Sequence, residues 1–183
     1  METHPVLKEL YIKASFDWPD GQKEYFAQQA KDAKIVQCVP MKEAFTKEQL
    51  EFIRREGYHA KMKMCYKNAS DLVCILSDPS YKELFPEEIK YVEGFAYCYG
   101  VMSVEHAWVK IGDKYIDPTF ERVLKKNVKK EFYASLIELD LFTMCQYQVD
   151  TGCYGELYFH NYLTHHKTEN EKTTSDTPAR NLF

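Results

Sequence analysis

The sequence predicts an α+β fold with a single domain over residues 1–165. Residues 65–77 place apolar side chains on one face of a helix. Residues 104–111 and 114–119 have strand character and are joined by Gly112-Asp113, a pair typical of a tight β-hairpin. Further helix patterns surround these segments. The Lys-, Glu- and Thr-rich residues 166–183 predict a flexible tail.

The composition is typical of a soluble globular protein. Of 183 residues, 45% are hydrophobic and 28% are charged, enough for one buried core. The net charge of -4 argues against binding nucleic acid through a basic surface. The chain contains no apolar run of about 18 residues, so no membrane span is predicted. The first residues show no secretory signal.

The cysteines indicate a reducing compartment. There are 6 of them, none in Cys-x-x-Cys spacing, and a chain with a real core does not need disulfides. We therefore expect free thiols and a cytoplasmic location. No glycine-rich phosphate loop occurs, so no nucleotide cofactor is expected.

Three helices are predicted in the first half of the chain. Residues 22–34 have helical periodicity after the turn Pro19-Asp20-Gly21. The second helix occupies 46–57, where Thr46 and Gln49 form a capping box and Gly57 ends the helix. The third covers 65–77. It places Cys65 in its first turn, where free N–H groups and the helix dipole favour a thiolate.

The predicted hairpin brings a histidine to an aspartate. After a strand at 91–99, the pairing around Gly112-Asp113 places Trp108 opposite Asp117 and His106 diagonal to it on the same side. Diagonal neighbours are roughly 7–8 Å apart, within reach of longer side chains. A His106–Asp117 hydrogen bond is therefore predicted.

The last part of the domain carries weaker patterns. Residues 127–141 read as a helix with Phe132, Leu136 and Leu139 inward. Residues 142–162 combine aromatic residues with two glycines and predict a hairpin or an irregular cover.

A cysteine, a histidine and an aspartate thus arrive on three separate elements. Nucleophilic thiol chemistry needs a sulfur to attack, an imidazole to deprotonate it and a carboxylate to orient the imidazole. Taken singly, each has an ordinary structural explanation. Cys65 could be a small buried apolar side chain, His106 a half-buried strand residue, and Asp117 the start of an Asp-Pro turn.

Three motifs carry a family resemblance: Cys65-Tyr66-Lys67-Asn68-Ala69, His106-Ala107-Trp108-Val109 and Tyr115-Ile116-Asp117-Pro118-Thr119. Over residues 65–120 the chain resembles the transglutaminase-like and papain-like thiol enzymes. That group also includes the arylamine N-acetyltransferases and cell-wall peptidases.

The resemblance implies a fold and an activity. The fold would be a helix with the cysteine at its start, packed on an antiparallel sheet that carries the histidine and then the acid. Cys65 would be the nucleophile, His106 the general base and acid, and Asp117 the orienting group. The substrate would be a peptide, a protein or a small amide or ester, attacked without metal or cofactor. Hydrolysis and acyl transfer both remain open, as does a non-catalytic interaction module on the same fold.

The oxyanion donors depart from the family pattern. Papain-like proteases carry a glutamine six residues before the cysteine, where this chain has His59. His59 could donate a hydrogen bond together with the Cys65 backbone N–H. Tyr58 beside it is a candidate lining residue. No tryptophan precedes Cys65 to act as the donor found in the larger transglutaminases.

Two further residues, Glu93 and Trp108, are candidates for substrate contact. Glu93 is a carboxylate in an otherwise apolar strand and could bind a cation or amine, or a structural partner such as a lysine or backbone group. Trp108 shares the predicted face of His106 and could wall the cleft or simply pack. Metal binding by Cys145 and Cys153, or by His160, His165 and His166, is poorly supported by the spacing.

Overall fold

The predicted α+β class is confirmed by one antiparallel sheet surrounded by helices. The computed structural model describes residues 4–19, 21–98 and 102–174. The helices are α1 Pro5–Ser15, α2 Gln22–Asp32, α3 Met41–Ala44, α4 Lys47–Arg55, α5 Cys65–Leu76, α6 Leu141–Thr151 and α7 Leu157–Thr174. The strands are β1 Lys34–Val36, β2 Ile89–Cys98, β3 Met102–Ile111, β4 Lys114–Ile116 and β5 Tyr133–Leu139. Their spatial order is β1-β5-β2-β3-β4.

The predicted helices around residues 22–34, 46–57 and 65–77 are confirmed as α2, α4 and α5. At α4 the Thr46 hydroxyl accepts from the Gln49 N–H, and the Gln49 side chain accepts from the Thr46 N–H. Gly57 ends the helix in the left-handed conformation, with φ 73°. The capping box and the terminal glycine therefore begin and end α4 as the sequence predicts.

Helix α5 packs its apolar face against the sheet. Leu72 and Val73 are completely buried and share a core cluster with Ala107 and Val109 of β3. Because side chains alternate along a strand, His106 and Trp108 point to the opposite face. Trp108 belongs to a second cluster there.

The hairpin has the predicted register. Ile111 pairs with Lys114 and Val109 with Ile116. β4 then stops at Ile116, so it covers only the last part of β3. Within the described chain, β3 has no strand partner on this side before Val109, and Cys65 approaches that free edge.

Gly94 allows β2 to approach β5 closely. The β2–β5 register shifts between Glu93 and Gly94, which marks a bulge. A Cβ at Gly94 would collide with the Ala134 carbonyl oxygen and lie 2.8 Å from the Ser135 Cα.

The predicted helix at 127–141 is wrong. Residues 128–130 form a short 3₁₀ turn, and residues 133–139 form β5, which lies between β1 and β2. Tyr133, Ala134 and Ser135 are all buried. A strand enclosed on both faces shows no polar–apolar alternation, so its pattern resembled a helix.

The hairpin or irregular cover predicted at 142–162 is also wrong, because this segment forms α6 and the start of α7. Asp140 caps α6 by accepting from the Thr143 N–H, and Gly152 ends the helix with φ 70°. α7 continues to Thr174, past the predicted start of the tail, while residues 175–183 lie outside the described residues.

Cys74 is exposed on α5, and the side chain of Cys98 lies outside the described part of the structure. None of the described helices is long and apolar enough to cross a membrane.

Replacing Gly94 with alanine should destabilise the fold by about 2–3 kcal/mol, because the new methyl group would meet the backbone of β5. Urea denaturation measures this change. Gly152→Ala is the control, since nothing lies within 4 Å of its Cβ position. That variant should lose only about 1 kcal/mol, from the left-handed backbone. Equal losses in the two variants would show that the close approach at Gly94 is not tight.

Candidate active site

Asp117 has a fully buried carboxylate, and both of its oxygens accept two hydrogen bonds. Oδ1 accepts from the backbone N–H groups of Thr119 and Phe120, each at 2.9 Å. Oδ2 lies 2.8 Å from Nε2 of His106 and accepts from the Tyr133 hydroxyl at 3.0 Å. A buried carboxylate needs such partners to remain charged. The predicted His106–Asp117 contact is therefore confirmed, within a larger set of bonds.

His106 is held in a fixed orientation on β3. It is 3% exposed, and its ring lies between Trp108, with centroids 6.1 Å apart, and Phe120, at 4.4 Å. Because Nε2 is bonded to Asp117, Nδ1 is the ring nitrogen that is available to Cys65, whose thiol interacts with His106. Burial alone lowers the pKa of His106. The charge and hydrogen bond of Asp117, together with the Cys65 thiol, outweigh this and raise that pKa to about 10.

Cys65 begins α5 and is half-buried. Burial is the largest single effect and raises the pKa of its thiol, while the hydrogen bond and charge of His106 lower it. The backbone N–H groups of Ala107 and Tyr66 also bind the sulfur and lower the pKa. The net pKa is below that of an ordinary cysteine, so the environment favours a thiolate paired with an imidazolium.

Two other cysteines, Cys38 and Cys74, have raised thiol pKa values. The pKa of Cys38 is raised by its complete burial and by the nearby charge of Asp117. The pKa of Cys74 is raised by burial and by Cys145 beside it. Of these three thiols, only Cys65 is positioned for nucleophilic chemistry.

Asn68 connects the start of α5 to the turn after Asp117. Its amide donates to the Lys61 carbonyl at 2.8 Å and to the Thr119 hydroxyl at 2.9 Å, and its oxygen accepts from the Lys61 N–H. The loop before Cys65 is thereby fixed relative to Asp117. Tyr58, a candidate lining residue, is instead buried in the core, where its hydroxyl donates to the Asn68 carbonyl at 2.9 Å.

The loop residue His59 is exposed, and no hydrogen bond found among the described residues connects its ring to the site. The nearest backbone donors are those of α5. The N-cap residue of α5 is Met64, whose side chain makes no capping hydrogen bond. The first-turn N–H groups therefore receive no side-chain cap from it. The Cys65 N–H belongs to this first turn.

Glu93 and Trp108 have structural partners. Glu93 is 4% exposed and accepts from the Tyr91 hydroxyl at 2.7 Å and the Tyr158 N–H at 3.0 Å. Glu93 therefore has a structural backbone partner, and it also borders a cavity. Trp108 is completely buried and supports the His106 ring without reaching the surface.

Sequence reasoning missed Tyr133 and Phe120. Tyr133 lies on β5, where the sequence pattern predicts a helix, so no local pattern places its hydroxyl beside Asp117. Burial and the charge of Asp117 raise the pKa of Tyr133, which keeps its hydroxyl protonated as a donor. Phe120 lies next to the third motif and could have been noted as an aromatic neighbour.

Comparison with known proteins adds no relative to this picture. No family model, no curated protein and no solved structure matches the chain. Among the described side chains, no group of three or more His, Cys, Asp or Glu residues is arranged to hold a metal ion.

Tyr133→Phe should lower the free energy of unfolding by about 2 kcal/mol, because a buried carboxylate loses a hydrogen-bond donor. Tyr115→Phe is a matched control. Its hydroxyl donates to the partly exposed Glu138 at 2.6 Å, and its loss should cost less than about 1 kcal/mol. Urea denaturation compares the two variants. A larger loss at Tyr115 would contradict the importance given to the bonds around Asp117.

Proposed function

We propose that this protein is a thiol enzyme that acts on an amide or ester through an acyl-enzyme intermediate. The observation that carries the proposal is the 2.8 Å contact between His106 Nε2 and a fully buried Asp117, together with the hydrogen bond and charge by which the same histidine lowers the pKa of Cys65. A cysteine at a helix start, facing a histidine and an acid on an antiparallel sheet, is also the arrangement implied by the papain-like and transglutaminase-like resemblance.

In the first half of the reaction, His106 Nδ1 holds the proton of Cys65. The thiolate attacks the carbonyl carbon, a carbon–sulfur bond forms, and the carbonyl oxygen becomes an oxyanion. The oxyanion then collapses, the bond to the leaving amine or alcohol breaks, and the imidazolium proton passes to that leaving group. The product is a thioester on Cys65.

In the second half, neutral His106 removes a proton from the acceptor as it attacks the thioester. The carbon–sulfur bond breaks, and the departing thiolate is again paired with the imidazolium. Water as the acceptor gives hydrolysis, and an amine gives acyl transfer. Asp117 keeps the imidazole in the same orientation in both halves, since its hydrogen bond to Nε2 does not involve the reacting nitrogen.

The first turn of α5 supplies the oxyanion donor in this scheme. The Cys65 N–H is directed along the helix axis, and the helix dipole favours negative charge at this end. The sequence predicts His59 as a second oxyanion donor. Its exposed ring would have to turn toward the site to act as one.

The pH dependence of thiol alkylation tests the ion pair. Because the pKa of Cys65 is lowered, its thiolate should persist below the ordinary cysteine pKa of about 8.5, and iodoacetamide should react with it at lower pH. Mass mapping measures the rate at each cysteine separately. Cys74 is an internal control, since its raised pKa should move its reaction to higher pH.

In His106→Ala the alkylation profile of Cys65 should shift upward, while that of Cys74 stays in place. A wild-type profile that matches an ordinary thiol, and does not change in this variant, would contradict the ion pair.

Acylation by 4-nitrophenyl acetate tests the chemistry. We expect an acetyl group on Cys65, detected by mass spectrometry, that is released with turnover. His106→Ala should slow acylation at least about 100-fold, the usual lower limit for loss of a general base. Asp117→Asn should also slow it, since an amide cannot stabilise the imidazolium.

Tyr115→Phe is the control for these substitutions, because its hydroxyl bonds to Glu138 and not to the triad. Equal acylation rates in all variants would favour the non-catalytic interaction module.

A further inference from the structure

A cavity of about 180 Å³ lies beside the triad and has no role in the steps above. Its lining residue Tyr66 follows Cys65 at the start of α5, while Glu105 precedes His106 on β3 and points to the opposite face of the sheet, the face that α5 covers. The remaining walls come from α2, β2, β5 and the start of α7. They are Tyr25, Gln29, Glu93, Gly94, Leu136, Glu156, Tyr158 and Phe159.

The cavity is acidic. Three of its lining residues are glutamates, Glu93, Glu105 and Glu156, and none is a lysine or arginine. These glutamates are close enough to Tyr66 to affect the pKa of its hydroxyl. Burial raises the pKa of its hydroxyl, and the charges of all three glutamates raise it further. Burial raises the pKa of Glu93 to about 7, so near neutral pH the exposed Glu105 and Glu156 supply most of the negative charge that would attract a cation and repel an anion.

The cavity also contains an unused acceptor. Gln29 is 2% exposed, and its Oε1 has no hydrogen-bond partner. Gln29 is one of the residues that line the cavity, so this unpaired acceptor belongs to its wall. A buried acceptor without a partner carries a desolvation penalty of about 1–3 kcal/mol, which a bound donor would remove.

The walls fit a compact cation with an alkyl stem. An ammonium group has three N–H donors and no acceptor, which matches Gln29 Oε1 and the glutamate oxygens. The rings of Tyr25, Tyr66, Tyr158 and Phe159 provide aromatic surface for the charge and for methylene groups.

The walls are also built to keep their shape. A Cβ at Gly155 would lie 2.5 Å from the Tyr66 ring, so the α6–α7 connection packs directly on that wall. Glu93 is fixed by Tyr91 and by the N–H groups at the start of α7.

We propose that this cavity binds a primary alkylammonium group of the substrate, such as that of a lysine side chain, while the triad attacks a carbonyl of the same molecule. The inference extends the proposed thiol chemistry by naming a substrate class, and its relation to catalysis rests on that function. The ammonium group is recognised and does not itself react.

Binding to the Cys65→Ala protein tests the cavity without any thiol chemistry. We expect n-butylamine to bind near neutral pH, and n-butanol, its neutral counterpart, to bind at least about tenfold more weakly, as measured by NMR titration. Glu105→Gln combined with Glu156→Gln changes two exposed side chains and should weaken n-butylamine at least about fivefold. Gln29→Leu should also weaken it, by removing the unpaired acceptor.

The control variant is Glu48→Gln combined with Glu51→Gln, which removes the same charge from α4 and should leave binding unchanged. Equal binding of n-butylamine and n-butanol would overturn the inference. So would unchanged n-butylamine affinity in the Glu105 and Glu156 variant.

The link to the triad is tested on the wild-type protein with 4-nitrophenyl esters of ω-amino acids of increasing chain length. For at least one chain length, the amino ester should acylate Cys65 faster than the uncharged ester of equal length does. The Glu105 and Glu156 substitutions should abolish this preference. Absence of a preference at every length would overturn the substrate role. Amine binding without any acylation of Cys65 would instead reject the proposed enzyme and leave a cation site.

Discussion

The hydrogen bonds of Asp117 hold together the parts of the chain that form the site. This carboxylate has no exposed surface, so its charge is tolerated only because four donors surround it. The donors come from β3, from β5 and from the turn after β4. Thr119 in that turn also accepts from Asn68, which fixes the loop before Cys65. The position of the thiol relative to the imidazole therefore depends on bonds that begin at Asp117.

Local patterns were sufficient to predict the elements that carry Cys65, His106 and Asp117. The capping box at Thr46, the apolar face of α5 and the tight turn at Gly112-Asp113 each act over a few residues, and the resulting hairpin register brings His106 to Asp117. β5 has no comparable local signal. It is covered on both faces, and the spacing of Phe132, Leu136 and Leu139 fits a helix as well as a strand. Only the sheet on either side of it decides between the two.

The same distinction applies within the site. His106 and Asp117 are joined by a hairpin, so their contact follows from counting residues. Tyr133 and Gln29 reach the site or its neighbouring cavity from distant parts of the chain, and no spacing rule connects them to Cys65. His59 was predicted as an oxyanion donor only because it lies six residues before Cys65. Such a count does not determine where an exposed loop side chain points. Glu93 was noticed from its sequence context, but its bonds to Tyr91 and Tyr158 required the fold.

The shortness of β4 gives the thiol access to the sheet. In an antiparallel hairpin, every second residue pair is joined by backbone hydrogen bonds. Ile111–Lys114 and Val109–Ile116 are such pairs, so the next hydrogen-bonded pair would be Ala107 and residue 118. That residue is Pro118, which has no N–H and turns away with φ −65° and ψ −25°. The Ala107 N–H is consequently left for the Cys65 sulfur. One proline thus ends the strand, directs Asp117 into its turn and leaves open the edge of β3 where the thiol lies.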